Sequence, residues 1–269
     1  MSAPDELKID VGFPQEGEPQ LHIRVGGCRL KMRGGGGAQW VSGSYRDPSH
    51  SLPCRVVEHG ATLDITQELN VSSLTRISDG SPTLDLTLGD AMPYTVALEG
   101  GASDCKLDLG GLPITRLSMR QGAGRYELDF SLPTAVPMQL LEIAGGAAAM
   151  DLRNLGNAGF VDLRLDGGAS AYTIDFGGEL RRDGQVRITA GAAGVEISVP
   201  ESTAATVRSE SVLAQVKVGD GFTTRQGAYW TGPAVAGKTP LLRIEAKVAV
   251  GMLRLRIGPP APLPLSSGN

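Results

Sequence analysis

The chain has 269 residues, of which 41% are apolar and only 4% aromatic, and its formal net charge is −4. This length allows a sizeable core, which must be built from Leu, Val, Ile and Ala. The acidic balance and the lack of a basic block argue against electrostatic capture of nucleic acid or of anionic membranes. No apolar run approaches the ~20 residues that cross a bilayer as a helix.

The first residues, Met1 to Glu6, lack the charged and apolar regions of a signal peptide. As written, the sequence predicts a cytoplasmic protein with no membrane span, and a cell-envelope location if the chain was cut from a longer protein. Cys28, Cys54 and Cys105 are far apart, which argues against a disulfide framework but leaves a single disulfide open.

Residues 1–60 read as short strands. Apolar and polar residues alternate in Leu21–Val25 and again in Leu30–Arg33. The four glycines Gly34–Gly37 are followed neither by a helix nor by Lys-Ser/Thr, so they indicate a turn and not a phosphate loop. We therefore expect 1–60 to supply N-terminal β rungs of the same array that follows.

Residues 61–218 contain a repeat in which an aspartate lies between two apolar residues, usually after a glycine pair. The aspartates at positions 85, 108, 129, 151 and 175 are spaced by 23, 21, 22 and 24 residues. Such a period predicts a solenoid whose coils each bury an apolar edge against the next. The aspartates are Asp85, Asp108, Asp129, Asp151 and Asp175, and an earlier copy is Asp64.

Each repeat holds a second short strand about ten residues after the first. Two strands in a coil of ~22 residues, stacked by strand pairing, predict an all-β chain in the form of a β-helix. The second strands are Ile114–Met119, Met138–Ile143, Val161–Leu165, Val186–Ile188 and Thr206–Arg208.

The pattern becomes irregular near the end. Residues 219–258 read as an insertion followed by capping strands, because the end of a solenoid has to cover its open sheet edge. The pair Tyr229–Trp230 lies there and fits a cap better than a platform for a ligand. Residues 259–269 are rich in proline and predict a disordered tail.

Several stretches resemble the toastrack-type β-helix domains, which include adhesin-like proteins and the C-terminal domain of LiaF-like cell-wall stress proteins. They are VGGCRLKMRGG at Val25–Gly35, the run from Gly100 to Phe130 with DLGGLPITRL at Asp108–Leu117, and GAYW at Gly227–Trp230. The similarity extends from about Leu7 to Ile257. It implies a β-helix and a role in envelope stress signalling, with no catalytic residues to carry over.

The repeated aspartates lie between apolar neighbours on a strand, so their side chains are expected to point away from the core. Stacked carboxylates could bind Ca²⁺, but the Ca²⁺-binding β-roll carries its aspartate inside a nine-residue turn repeat. We expect instead a solvated outer row that discourages sheet-to-sheet aggregation.

A second set of charges recurs with the same period on the second strands. Arg164, Arg187 and Arg208 are 23 and 21 residues apart, with Arg76 and Arg116 or Arg120 as earlier members. They predict a basic stripe on a face separate from the acidic row. Such a stripe either guides self-association or partner contacts or is merely a solvated surface.

Catalytic patterns are weak. Ser103-Asp104-Cys105-Lys106 matches S-x-x-K in letters, but on a strand positions 103 and 106 point to opposite sides. His22, His50 and His59 have no metal-site spacing, alone or with Cys28 and Cys54. The sequence thus predicts no catalytic, cofactor or metal residues.

These observations predict a non-enzymatic binding or scaffolding module that associates with a protein partner or with itself. One alternative is a self-assembling structural protein of the bactofilin type, and another is a β-helix enzyme that acts on polysaccharides. The latter would need two carboxylates about 5–10 Å apart in a groove.

Overall fold

The structure, a computed structural model, describes residues 6–50, 52–68 and 81–259. The described part forms eighteen strands, with a four-residue α-helix at Gly232–Val235 and a 3-10 turn at Leu155–Ala158. The predicted all-β class is therefore confirmed. Arg76 and residues 260–269 of the predicted tail lie outside the described residues.

The N-terminal part supplies seven short strands. They are β1 Glu6–Gly12, β2 Gln20–Val25, β3 Arg29–Gly34, β4 Gln39–Arg46, β5 Cys54–His59, β6 Thr62–Gln67 and β7 Thr83–Leu88.

The middle of the chain contains three long strands that span a whole repeat and four shorter ones. They are β8 Tyr94–Ala102, β9 Asp104–Asp108, β10 Ile114–Asp129, β11 Met138–Arg153, β12 Phe160–Gly167, β13 Ser170–Asp175 and β14 Gly184–Val199.

The C-terminal part adds two more long strands and a hairpin. They are β15 Ala204–Val218, β16 Phe222–Arg225, β17 Ala228–Thr231 and β18 Leu241–Ile257.

We call two consecutive strand segments joined at a glycine bend a rung. The first segment precedes the bend, and the second segment follows it and carries the repeated aspartate, as in the two halves of β10. Neighbouring rungs pair in parallel from β8–β9 through β10, β11 and β12–β13 to β14. In this region the order of the rungs follows the chain, as expected for the repeat.

The order differs from the chain at both ends. The β2–β3 rung lies between β6–β7 and β8–β9, and the last strand, β18, lies between β14 and β15. A simple succession of coils in chain order is therefore wrong for the ends. Strands that pair in parallel need not be adjacent in the sequence. Each inserted rung covers the apolar edges of the rungs on both of its sides.

The core lies between the first and second segments of the rungs. Alternate residues face inward, so each rung places equivalent apolar side chains next to those of its neighbours. One inner row consists of Leu117, Leu141, Leu163, Val186 and Ile244, each at most 2% exposed. Each such side chain contributes roughly 1.5–3 kcal/mol by burial.

The two ends of the stack are covered differently. At the first end, β5 pairs antiparallel with β6, and β4 pairs antiparallel with β7, along the full length of both strands. At the other end, β17 pairs with β15 only at Thr206 and Val207. The predicted capping region thus covers just the beginning of the last rung's edge.

Candidate functional site

The repeated aspartates do not form one row. Asp108 and Asp129 are register neighbours, but the next residue in that row is Arg153. Asp151 lies in the row two residues earlier, beside Glu127. Asp129 and Asp151 are 22 residues apart in sequence, whereas residues that pair between β10 and β11 are 24 apart. The two aspartates therefore lie in different rows.

Asp175 belongs to a chain of hydrogen bonds that crosses four rungs where the second segments end. The Asn154 side-chain amide donates to Asp129 Oδ1 at 2.8 Å, and the Asn154 backbone N–H donates to Asp175 Oδ2 at 3.4 Å. The Ser198 hydroxyl donates to Asp175 Oδ1 at 3.1 Å. We call this side of the stack, with Asp129, Asn154, Asp175 and Ser198, the turn edge.

The other aspartates have different partners. Asp108 accepts from the Gly110 N–H at 3.1 Å and from the Ser131 hydroxyl at 2.7 and 2.8 Å, which ties its own turn to the next rung. Asp151 pairs with Arg153. Asp85 is half-buried and faces Lys31 in the register.

The expected solvated acidic row is therefore wrong for Asp151 and Asp175, which are 6% and 8% exposed. A carboxylate is buried at acceptable cost only where donors surround it. Asp175 finds its donors in Asn154 and Ser198 of the adjacent rungs, whereas Asp151 finds its donor in Arg153 of its own strand. Asp108, Asp129 and Asp175 thus connect rungs, and among the described residues Asp151 does not.

The arginine set is also interrupted. Arg164 and Arg187 are register neighbours, but Glu245 of β18 lies between Arg187 and Arg208. Arg187 Nε lies 3.8 Å from Glu245 Oε2, and Arg164 Nη2 lies 2.7 Å from Asp162 Oδ2. The predicted basic stripe is therefore a mixed-charge row, because the last strand inserts an acid into it.

Arg116 and Arg120 occupy other rows. Arg116 lies in register with Leu140, and Arg120 lies with Ala144 and Glu99. Neither continues the row of Arg164.

The S-x-x-K residues point to opposite sides, as the strand periodicity predicts. Ser103 is 3% exposed, and its hydroxyl lies 3.4 Å from the Tyr126 hydroxyl. Lys106 is exposed, and its Nζ lies 3.8 Å from Glu127. No proton transfer between Ser103 and Lys106 is possible in this arrangement.

The three cysteines are free thiols. Burial raises the pKa of Cys28 and of Cys105 to about 12 and that of Cys54 to about 11. The thiolate is the nucleophile and the metal ligand, so these residues are protonated and unreactive near neutral pH. Among the described residues, no three His, Cys, Asp or Glu side chains are grouped to hold a metal ion.

Tyr229 and Trp230 lie on β17, which pairs with β15 and with β16. Both are half-buried, and Tyr229 packs against the core. This placement agrees with a covering role at the start of β15.

The opposite side of the stack, where the rungs bend, is built of glycine. A Cβ on Gly101 would lie 2.5 Å from the carbonyl oxygen of Gly26, and Cβ atoms on Gly122, Gly146 and Gly168 would meet the glycine of the preceding rung at 2.4–2.8 Å. These glycines are needed because the backbones of adjacent rungs approach closely. Gly124, with φ +128°, additionally needs a conformation that other residues rarely adopt.

An open channel of about 700 Å³ follows these bends from β8 to β14. Backbone of Gly122, Gly146 and Gly168 lines it, and no side chain rises from that surface. At ~4.8 Å per rung, the glycine row from Gly101 to Gly168 extends over about 14 Å. We call this surface the bend channel.

The rim of the bend channel carries both charges. Glu99 and Arg120 are register neighbours, and Asp166 follows two rungs later. Arg24 Nε lies 3.4 Å from Glu99 Oε2, whereas the exposed Arg120 makes no hydrogen bond or ion pair with any described residue. The rim therefore suits neither a polyanion nor a polycation.

Beside the channel runs a row of small and apolar residues, which we call the bend ridge. Val250 and Leu213, at its end on the last two rungs, are 48% and 76% exposed. The ridge consists of Ala102, Ala123, Ala147, Ala192, Val250 and Leu213.

Gln121 lies on the core side of the bend and is 5% exposed. Its Oε1 occupies the space of a Cβ on Gly100, 1.9 Å from that position, so Gly100 has to be a glycine. Neither end of its amide has a hydrogen-bond partner within the described part of the chain. The polar pocket beneath the bend also contains Ser103 and Tyr126.

The sequence signal for the bend channel is the recurring glycine pair, which by itself predicts a turn. The sequence does not show that glycines of adjacent rungs lie next to each other. Only this proximity makes the row of glycines a surface without side chains. Gln121 gave no signal, since one polar residue at an inward position does not break an alternating pattern.

Comparison with known proteins gave one family match. Residues 5–132 match the family model described as the N-terminal domain of toast_rack, DUF2154. Among curated proteins, none has a sequence that matches significantly. In the described residues, no helix is long and apolar enough to cross a membrane.

Three solved structures are similar over nearly the whole chain. A candidate cell adhesion protein from Clostridium sporogenes is 16% identical, with 95% of this chain and 100% of that chain covered and a TM-score of 0.49. A candidate adhesin from Bacteroides fragilis is 10% identical (94% and 98% covered, TM-score 0.41). A candidate lipid-binding protein from Parabacteroides distasonis is 10% identical (94% and 97% covered, TM-score 0.32).

Proposed function

We propose that this chain, whose residues 5–132 match the family model of the N-terminal domain of toast_rack, is a non-enzymatic module that binds an extended polypeptide at the bend channel. The parallel, in-register rungs support describing the array as a β-solenoid. Strands from residues 1–60 and 219–258 are inserted between rungs of residues 61–218, so these three ranges belong to one array. The stress-signalling context implied by the resemblance is part of this proposal.

The observation that carries the proposal is the side-chain-free surface beside an exposed apolar ridge. An extended chain needs a flat surface against which to lie, and apolar area supplies most of the free energy of such contacts. The bend ridge supplies that area through Ala147, Val250 and Leu213, while the glycine row keeps the adjacent surface open.

The charges of the rim favour a polypeptide over a polyanionic glycan. Arg24, Arg120 and Lys247 share one outward row with Glu99, Asp166 and Glu210, so the charges of the row cancel. A partner with both signs of charge matches such a row, and Arg120 is free to pair with a carboxylate.

Peptide selection tests the proposal. Peptides selected from a random library against the full chain should bind it, and Ala147→Arg should weaken that binding at least tenfold in calorimetry, because a long side chain then fills the channel's edge. Val161→Arg, at a similarly exposed apolar residue away from the bend, serves as the control. Selected peptides that bind both variants equally, or a selection that yields none, would overturn the proposal.

A further inference from the structure

The last rung has an unprotected edge. β15 pairs with β18 along its whole length, but on its other side β17 pairs with it only at Thr206 and Val207. In the described part of the chain, no strand pairs with the free side of β15 from Arg208 to Val218. An edge strand of this kind presents a row of unpaired N–H and C=O groups.

Most features that usually protect such an edge are missing here, although β15 carries the exposed charges Arg208, Glu210 and Lys217. Proteins shorten edge strands or place proline, bulges or inward-pointing charges on them. β15 has fifteen residues and contains neither proline nor glycine. At the other end of the stack, β6 and β7 are covered along their length by the antiparallel strands β5 and β4, whereas β15 is covered only at its beginning.

The open edge is also apolar at its centre. Leu213 is 76% exposed and Val218 is 38% exposed. Ala214 and Val216 pack against the core but are only partly buried. The apolar core therefore extends to the last rung, where these side chains are only partly covered.

We propose that a second copy of this chain covers the edge, with the two β15 strands pairing antiparallel about a two-fold axis between Leu213 and Ala214. In this register Leu213 lies opposite Ala214 of the second copy, and Ser211 lies opposite Val216. The two-fold axis passes through the bend of β15. The first segment of β15 in one copy therefore pairs with the second segment of β15 in the other copy, and the apolar cores of the two copies become continuous across the interface.

Charge complementarity selects this register. It places Glu210 opposite Lys217 of the second copy, and both side chains are on the outer face and exposed. Glu210 already lies 2.8 Å from Lys247 of its own chain, and its second oxygen can accept from the added lysine. The register shifted by two residues, which also keeps the core inside, places Arg208 opposite Lys217, where like charges repel.

The hairpin β16–β17 leaves room for this contact. It pairs with β15 at Thr206 and Val207, whereas the outermost pair of the proposed interface joins Ser209 to Val218. The interface is isologous and closed, so it predicts a dimer and no filament. The two bend ridges then meet at Leu213 and form one continuous surface.

Sedimentation velocity of the full chain tests this inference. We expect a dimer that Leu213→Asp and Lys217→Glu each weaken at least tenfold in Kd, while the triple variant Glu210→Lys/Lys217→Glu/Lys247→Glu, which exchanges all three charges and keeps the ion pair within the chain, restores the wild-type Kd. Val161→Asp, at another exposed apolar residue, is the control that should leave the dimer intact. Circular dichroism reports whether each variant is folded.

Oxidation gives an independent measurement of the register. The Glu210→Cys/Lys217→Cys chain should form a disulfide-linked dimer, because opposite residues of an antiparallel pair have Cα atoms within bonding range, and either single cysteine should not. A monomer at all concentrations, filaments in electron microscopy, or a dimer unaffected by Leu213→Asp would overturn the inference. The result does not depend on whether the bend channel binds peptides.

Discussion

Adjacent rungs are held together in different ways at their two edges. At the turn edge, side chains of Asp129, Asn154, Asp175 and Ser198 bond one rung to the next. At the bend edge, glycine backbones approach each other with no side chains between them. The most regular residues of the sequence are therefore structural on both edges, and what differs is the surface they leave. The bend edge leaves an open surface, the bend channel.

The largest expected effect is on the bend edge. Gly168→Ala places a Cβ 2.4 Å from the backbone oxygen of Gly146, which cannot move without shifting a rung. We expect a loss of about 3 kcal/mol in the free energy of unfolding, measured in urea. Gly194→Ala is the matched control, since its Cβ meets nothing within 4 Å. Equal stability of the two variants would contradict the close approach of the rungs.

A smaller effect is expected at the turn edge. Asp175→Ala removes an acceptor that is 8% exposed and leaves the Ser198 hydroxyl and the Asn154 N–H without it. The expected cost is about 1–3 kcal/mol in the same urea assay. Asp85→Ala should cost less than about 0.5 kcal/mol, because Asp85 is half-buried and has no hydrogen bond to a described residue. A similar cost for both aspartates would show that Asp175 does not connect rungs.

The ionisation of the buried thiols does not affect stability near neutral pH and lowers it only at high pH. In the folded chain the pKa of Cys28 and Cys105 is about 12, whereas in the unfolded chain it is near the ordinary value of 9.0. Above pH 9 the unfolded state releases protons first, so stability falls as the pH rises from 9 towards 12, by up to about 1.4 kcal/mol per pH unit for each thiol.

The measurement compares the wild type with Cys28→Ala/Cys105→Ala between pH 8 and pH 10. The double variant should lose less stability over this interval, even if its stability at pH 8 is lower. A disulfide-exchange reagent should meanwhile label Cys54, which is partly exposed, before the two buried thiols. Identical pH profiles would contradict the burial of Cys28 and Cys105.

The sequence predicted the strands of the array because inward apolar positions alternate, as in Leu117 and Met119. It could not predict that β18 lies between β14 and β15, since that contact joins segments 58 residues apart, as in Glu196 with Arg254. This insertion places Glu245 in the arginine row. Similarly, the burial of Asp175 depends on Asn154 of the adjacent rung, which no spacing of aspartates reveals.

The most direct test of the bend channel as the binding surface is backbone amide mapping by NMR with a selected peptide. We expect the shift changes on binding to concentrate at Gly101, Gly122, Gly146 and Gly168, and the amides of the turn edge around Asn154 and Asp175 to stay unchanged. Changes that concentrate at the turn edge and leave those glycines unaffected would contradict this expectation.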